Sequence, residues 1–396
     1  MNTGRLCPVR AAGLMLLAGM MAAATAGHAA EVWESHLFPS GFRVVARAGE
    51  EGAEDPAPRK VAGEDPARVE FSVSRMKGDW EYLVGMVFNA QGKNPPRQSV
   101  SFGLGIGGSF VGWEEVLPPV TAAAFDQGKP VPARMLLPVP AGQAELLVAC
   151  VGEDGAVPAL GEVALLGRPK PEGAAKKRVL VVTGEDYPGH PWPETSRAFV
   201  EVLRADDRME TYVCESPAMA GSSLLPAFDA VVVHFKNYAE NIPMGAVEGE
   251  RLRQYAESGR GVVLTHFACG AFQEWPDFVT TAGRVWNPEM RAHDPHGEFT
   301  VRVRDAAHPV VQGMKDFQTT DELYTCLDGT TPIHVLCDAV SKVDGKECPI
   351  AFTVDTPGLR VFHCVLGHNG AAYAPPEVGE LFRRGTAWAC GLTPEK

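Results

Sequence analysis

Residues 261–275 read GVVLTHFACGAFQEW, and this stretch decides how the chain is understood. An apolar run over 262–264 follows the helix-terminating Gly259 and gives way to Thr265-His266, then to small and aromatic residues. A short continuous apolar run set off by a glycine predicts a strand buried on both faces. In an open α/β sheet, ligands sit just past the carboxyl ends of such strands. His266 is the residue delivered to that edge.

Working outward, the same rhythm recurs. Residues 178–182, 211–214 and 230–234 are further apolar strand candidates. Helices are predicted over 194–205, with Phe199, Val202 and Leu203 on one face, and over 247–258, with Leu252 and Tyr255 inward and Gly259 at C′. Downstream, strands are predicted at 299–303, 333–337, 349–353 and 359–365, and Pro375 opens a last helix. Alternating strand and helix predicts an α/β fold with a mainly parallel sheet and helices on both faces, over 178–396.

Residues 31–168 read differently. Val69, Phe71 and Val73 alternate with Glu70, Ser72 and Ser74, and further strand candidates at 83–88, 99–104, 135–139, 145–151 and 162–166 are separated by Gly, Pro and Asn clusters. Many short strands with turn signals predict an all-β sandwich. Such a module either binds carbohydrate or docks on its neighbour. Gly103-x-Gly105-x-x-Gly108 matches a dinucleotide-binding pattern, but Trp113, Pro118 and Pro119 follow where a helix should start, so the glycines are assigned to strand bends. Residues 169–177, PKPEGAAKK, form a linker.

Composition is that of a globular protein: 45% hydrophobic and 21% charged over 396 residues. A net charge of -13 argues against nucleic-acid binding, which needs a basic face, and against adhesion to an anionic membrane. Arg5 and Arg10, the apolar run 11–26 and the small residues at 27–29 predict a secretory signal peptide over 1–29. The mature protein is then exported, to the periplasm or the extracellular space, and free of the membrane. Eight cysteines follow Cys7, which leaves disulfide pairing open, and no C-x-x-C suggests a zinc knuckle.

Polar groups gather on the predicted ligand edge: Glu185 and His190 in the loop 184–193, His266, Glu322 and Tyr324 in DELY, and His368 after the strand 359–365. Imidazoles and carboxylates at one edge could serve as general acid and base, or could ligate a divalent metal. The bland alternative is that some of these histidines cap helices or satisfy loop backbone. His293-Asp294-Pro295-His296 reads as a turn, His308 as part of a turn, and His363 as a satisfied sheet histidine. Trp192 and Trp275 could stack on a sugar ring or simply pack in the core.

The segments VLVVTGEDYPGHPW, FDAVVVHF, GVVLTHFACGAFQEWPDF, HPVVQGM, DELY, RVFHCVLGHN and RRGTAWACG, in this order over 178–391, resemble the ThuA-like (trehalose utilisation) family. The resemblance implies a class I glutamine-amidotransferase-like fold, a flavodoxin-like α/β layer structure, and a role in disaccharide or keto-sugar metabolism. In amidotransferases of this fold the strand over 262–264 ends in a turn bearing a nucleophilic Cys. Here the comparable position is His266, and Cys269 lies three residues later. An imidazole does not replace a thiolate in thioester chemistry, so glutamine hydrolysis is disfavoured.

With the resemblance, the residues sort into roles. His266 is the central base or metal ligand, Glu322 its carboxylate partner, and His368 a second acid/base or ligand. Glu185 and His190 form the opposite rim, and Tyr324 and Trp275 contact a small-molecule sugar. A non-catalytic sugar-binding or scaffold protein, and a cysteine hydrolase using Cys269, are the rival readings.

Overall fold

The computed structural model describes residues 32–89, 97–106, 109–121, 124–126, 128–185, 187, 189–237 and 247–394. The expected signal peptide over 1–29, and Gly108 of the glycine pattern, lie outside the described residues.

The second half of the chain is built on a nine-stranded sheet. Its strands are β1 (Lys177–Val182), β2 (Met209–Cys214), β3 (Ala230–Val233), β4 (Gly261–Thr265), β5 (Gly297–Val303), β6 (Phe317–Asp321), β7 (Ile333–Val340), β8 (Glu347–Val354) and β9 (Arg360–Cys364). The spatial order is β2-β1-β3-β4-β9-β8-β7-β5-β6. The first five in that order pair in parallel, with β4 between β3 and β9. Valine-rich runs suit these positions because β-branched side chains pack well on a pleat covered on both sides; every residue of β3 and β4 is buried. The remaining pairings, from β9 to β6, are antiparallel, so the sheet is a parallel flavodoxin-like half with an antiparallel wing.

Four α-helices are present among the described residues: α1 (Trp192–Leu203), α2 (Val247–Glu257), α3 (Pro276–Ala282) and α4 (Pro376–Ala389). Pro sits in the first turn of α1, α3 and α4, where its missing N–H costs nothing. The buried stripe of α1, including Phe199 and Leu203, meets that of α4, with the Phe199 and Phe382 rings 5.4 Å apart and edge-on. Gly385 lets α4 approach β9: a Cβ there would lie 2.2 Å from the Phe362 ring.

The N-terminal region is all-β. Strands 43–47, 160–169, 80–88 and 133–138 form one antiparallel sheet, and 59–61, 68–73, 146–152, 97–106 and 109–121 form another. Gly103 and Gly105 lie within a strand that pairs antiparallel with 109–121, so no helix follows the glycine pattern. The strand 109–121 carries Pro118 and Pro119 and stands at a sheet edge, where a missing N–H is tolerated.

This region docks on the α/β half through specific polar contacts. Arg134 makes a two-pronged bond to the buried Glu215, at 2.7 and 2.5 Å. Arg168 holds Glu210 at 2.9 and 2.6 Å, and Ser222 donates to the Val116 carbonyl at 2.7 Å. All eight cysteines after Cys7 are free, buried thiols.

Candidate metal centre

At the carboxyl end of β4 the chain turns sharply. Thr265 is still extended, but His266 has φ of +42°, a left-handed conformation that a branched or aromatic side chain adopts only when its surroundings hold it there. The 3-10 turn His266–Gly270 follows. The imidazole is fully buried, and its Nδ1 lies 2.8 Å from the Val365 carbonyl just past β9. A carbonyl only accepts, so Nδ1 carries the proton and Nε2 presents its lone pair inward.

That lone pair meets three other groups. His190 Nε2 lies 2.9 Å from His266 Nε2, and His368 Nδ1 lies 3.2 Å from His190 Nε2. Glu322 Oε2 is 3.3 Å from His368 Nδ1, 3.7 Å from His266 Nε2 and 3.9 Å from His190 Nε2. All four donor atoms fall within 4.8 Å of one another. Tetrahedral zinc with bonds of 2.0–2.1 Å separates its ligand atoms by about 3.3 Å; the separations given above bracket that value, from 2.9 to 3.9 Å. Three imidazole nitrogens and one carboxylate oxygen are donors suited to a divalent transition metal.

The surroundings support this geometry. Burial, then the neighbouring His190 ring, holds the His266 imidazole well below its usual pKa, so it is neutral, as a ligand must be. Burial works to raise Glu322, but the bond to His368 keeps it below the usual carboxylate range. That same bond raises His368, against burial. Asp321, the last residue of β6, is buried and accepts N–H groups from Gly367 at 2.7 Å, Glu322 at 2.8 Å and His368 at 3.2 Å. One carboxylate thus ties together the two chain segments that carry Glu322 and His368. Burial pushes its pKa up to about 6 despite those bonds.

The sequence-predicted residues divide as follows. His266, Glu322 and His368 converge. His190, assigned to the rim, stands inside the donor set instead. Tyr324 is buried, with its hydroxyl donating to His266 Nε2 at 2.8 Å and its ring 4.6 Å from the His266 ring. Glu185 is buried in the same loop as His190 but is not one of the four donors. Trp275 packs on Phe272 and Phe278 and over Gly249, and Trp192 is buried at the start of α1, the packing alternative in each case. His363 is buried, with Nδ1 3.2 Å from the Ala282 carbonyl, as a sheet histidine.

Three contributors carried less weight in the sequence. His293 Nε2 lies 3.7 Å from Glu322 Oε1, and the His296 ring lies 5.2 Å from that of His368. The turn reading of 293–296 is compatible with this, because the loop pairs His293 with Tyr324 in a single bridge. The third is Asp321, visible only as the first letter of DELY. Cys269 is fully buried in the turn after His266, and burial pushes its thiol pKa up, the reverse of what a nucleophile needs.

A parallel half-sheet with a left-handed elbow after its central strand is the flavodoxin-like, class I glutamine-amidotransferase-like fold. The chain belongs to the ThuA family: the family model described as trehalose utilisation matches residues 178–389. Among solved structures, a ThuA-like protein from Parabacteroides merdae is 25% identical, aligned over 56% of this chain and 92% of its own, with a TM-score of 0.50. Another, from Bacteroides uniformis, is 17% identical over 55% of this chain and 93% of its own, with a TM-score of 0.45. A glutamine amidotransferase from Thermotoga maritima is 10% identical over 48% and 76%, with a TM-score of 0.32. A search of curated proteins found no match.

Proposed function

We propose that this ThuA-family protein is an exported carbohydrate-processing enzyme built around a divalent-metal centre of His190, His266, His368 and Glu322. The observation that carries the reading is the convergence of four donor atoms within 4.8 Å on buried and half-buried side chains, with the His266 tautomer set by the Val365 carbonyl. A metal held there would polarise a carbonyl or hydroxyl oxygen of a bound sugar. A metal that takes the His266 Nε2 lone pair would release the Tyr324 hydroxyl, now 2.8 Å from that nitrogen, to exchange a proton with that oxygen. His293, beside Glu322, and His296, beside His368, would hydrogen-bond sugar hydroxyls.

Membership of a family described as trehalose utilisation supports a disaccharide or its keto derivative as the ligand class. A thiol mechanism is disfavoured by the burial of Cys269. The test is turnover of a panel of disaccharides and their keto derivatives by metal-loaded and chelator-treated protein. Turnover that disappears on chelation and returns with metal supports the reading. Turnover indifferent to chelation, or binding without turnover across the panel, overturns it, the second outcome favouring a sugar-binding protein.

A further inference from the structure

A second pocket lies at the opposite edge of the sheet, where the α/β half meets the β region. It is a cavity of about 400 Å³ bordered by Arg178, Ser223 and Gln143 together with Lys77, Lys170 and Trp80. Arg178 is the second residue of β1, while the candidate metal centre is reached through the loop after Val182 at the other end of that strand. Four residues of strand put the two sites about 13 Å apart at the least.

The Arg178 guanidinium lies over the faces of Tyr212 and Phe228, at 4.9 and 5.4 Å, yet no carboxylate among the described residues pairs with it, and its buried Nε has no hydrogen-bond partner. The Ser223 hydroxyl and Gln143 Oε1 are likewise buried without partners. Buried polar atoms are nearly always satisfied; others without partners are scattered through the described residues, and what marks this place is three belonging to residues that border one cavity. Two further cations stand at the rim: Lys77 over the Trp80 ring at 5.0 Å, and Lys170 donating to the Gly78 carbonyl at 2.7 Å. Of the bordering carboxylates, Glu81 shares Arg168 with Glu210, at 2.9 Å, and Glu114 is exposed. In a chain of net charge -13, three bordering cations, Arg178, Lys77 and Lys170, outnumber the two bordering carboxylates.

We infer that this crevice is a second small-molecule site, for a sugar that bears an oxyanion. Arg178 would hold the carboxylate or phosphate in the two-pronged manner that a planar guanidinium favours. Lys77 and Lys170 add to its attraction. A small rotation of their side chains would bring Gln143 Oε1, an acceptor, and the Ser223 hydroxyl to a ligand hydroxyl, which favours a polyhydroxylated ligand body over an apolar one. A volume of about 400 Å³ is within the range of small-molecule pockets.

The experiment is calorimetric titration of the full-length mature protein with glucuronate, glucose 6-phosphate and glucose, with and without chelator. The expected result is saturable binding of at least one of the two anions, unaffected by chelation, with glucose weaker by roughly tenfold or more. Which anion is preferred tells a sugar acid from a sugar phosphate. Arg178→Leu should weaken the anion by roughly tenfold or more. Lys170→Gln, at the exposed rim, should weaken it severalfold and flatten its salt dependence, which keeps the test intact if Arg178→Leu misfolds. Failure of both anions to bind, equal binding of glucose, loss of binding on chelation, or full affinity in both variants would overturn the proposal.

Discussion

The Nε2 atoms of His190 and His266 face each other across 2.9 Å, although their loops follow β1 and β4, which β3 separates in the sheet. The His266 Nδ1 proton is committed to Val365, so its Nε2 brings a lone pair to this contact. Two such nitrogens stay close comfortably only around a shared proton or cation. His190→Ala is therefore expected to weaken zinc binding by more than about 100-fold, beyond the 10–100-fold typical of outer-shell changes. Competition titration against a chromogenic chelator reads this directly, and unchanged affinity would remove His190 from the donor set.

Asp321 touches no donor atom, yet it fixes the backbone at both Glu322 and His368. Asp321→Asn presents an NH2 where one or two N–H groups now point. The expected outcome is a loss of about 10–100-fold in metal affinity with the fold retained by circular dichroism. Wild-type affinity in this variant would show that the loops hold their ligands unaided.

How far the sequence revealed this site depends on chain distance. The apolar runs of β1, β3 and β4 announced a parallel sheet because burial on both faces leaves no room for polar alternation. His266 was legible for the same reason, as the first polar side chain past such a run. The role of His190 was not, because its contact with His266 spans 76 residues of chain, which no local pattern records. Asp321 was hidden in the same way: its partners are N–H groups of residues 367 and 368. The antiparallel wing escaped notice because its strands, such as β5 and β6, are half-exposed and alternate as isolated strands would.

Cys269→Ala is expected to leave metal affinity unchanged and to lower stability by about 1 kcal/mol, since the thiol packs as a small apolar group. Loss of activity with metal content and stability intact would revive a thiol mechanism.

Asp294 anchors the loop that carries His293 and His296. Its carboxylate accepts from Arg291 at 2.6 Å, Ser341 at 2.8 Å and the Lys342 N–H at 2.8 Å. Burial works to raise its pKa, but these bonds hold it below the ordinary Asp value. A lowered folded pKa stabilises the protein above the unfolded value, near pH 4, and that stability is lost as pH falls through the folded value. Wild type should exceed Asp294→Asn by about 2 kcal/mol at neutral pH in urea unfolding, with the gap closing in acid. A gap independent of pH would mean that the carboxylate charge contributes nothing.

The central claim is that His190, His266, His368 and Glu322 hold one metal ion. Elemental analysis of purified protein after metal loading and exhaustive dialysis, on wild type and on His266→Ala and Glu322→Gln, tests it most directly. The account predicts about one divalent ion per wild-type chain and near-background content in both variants, with their circular dichroism unchanged. Wild-type protein that retains no divalent ion, or folded variants that retain as much as wild type, would contradict it.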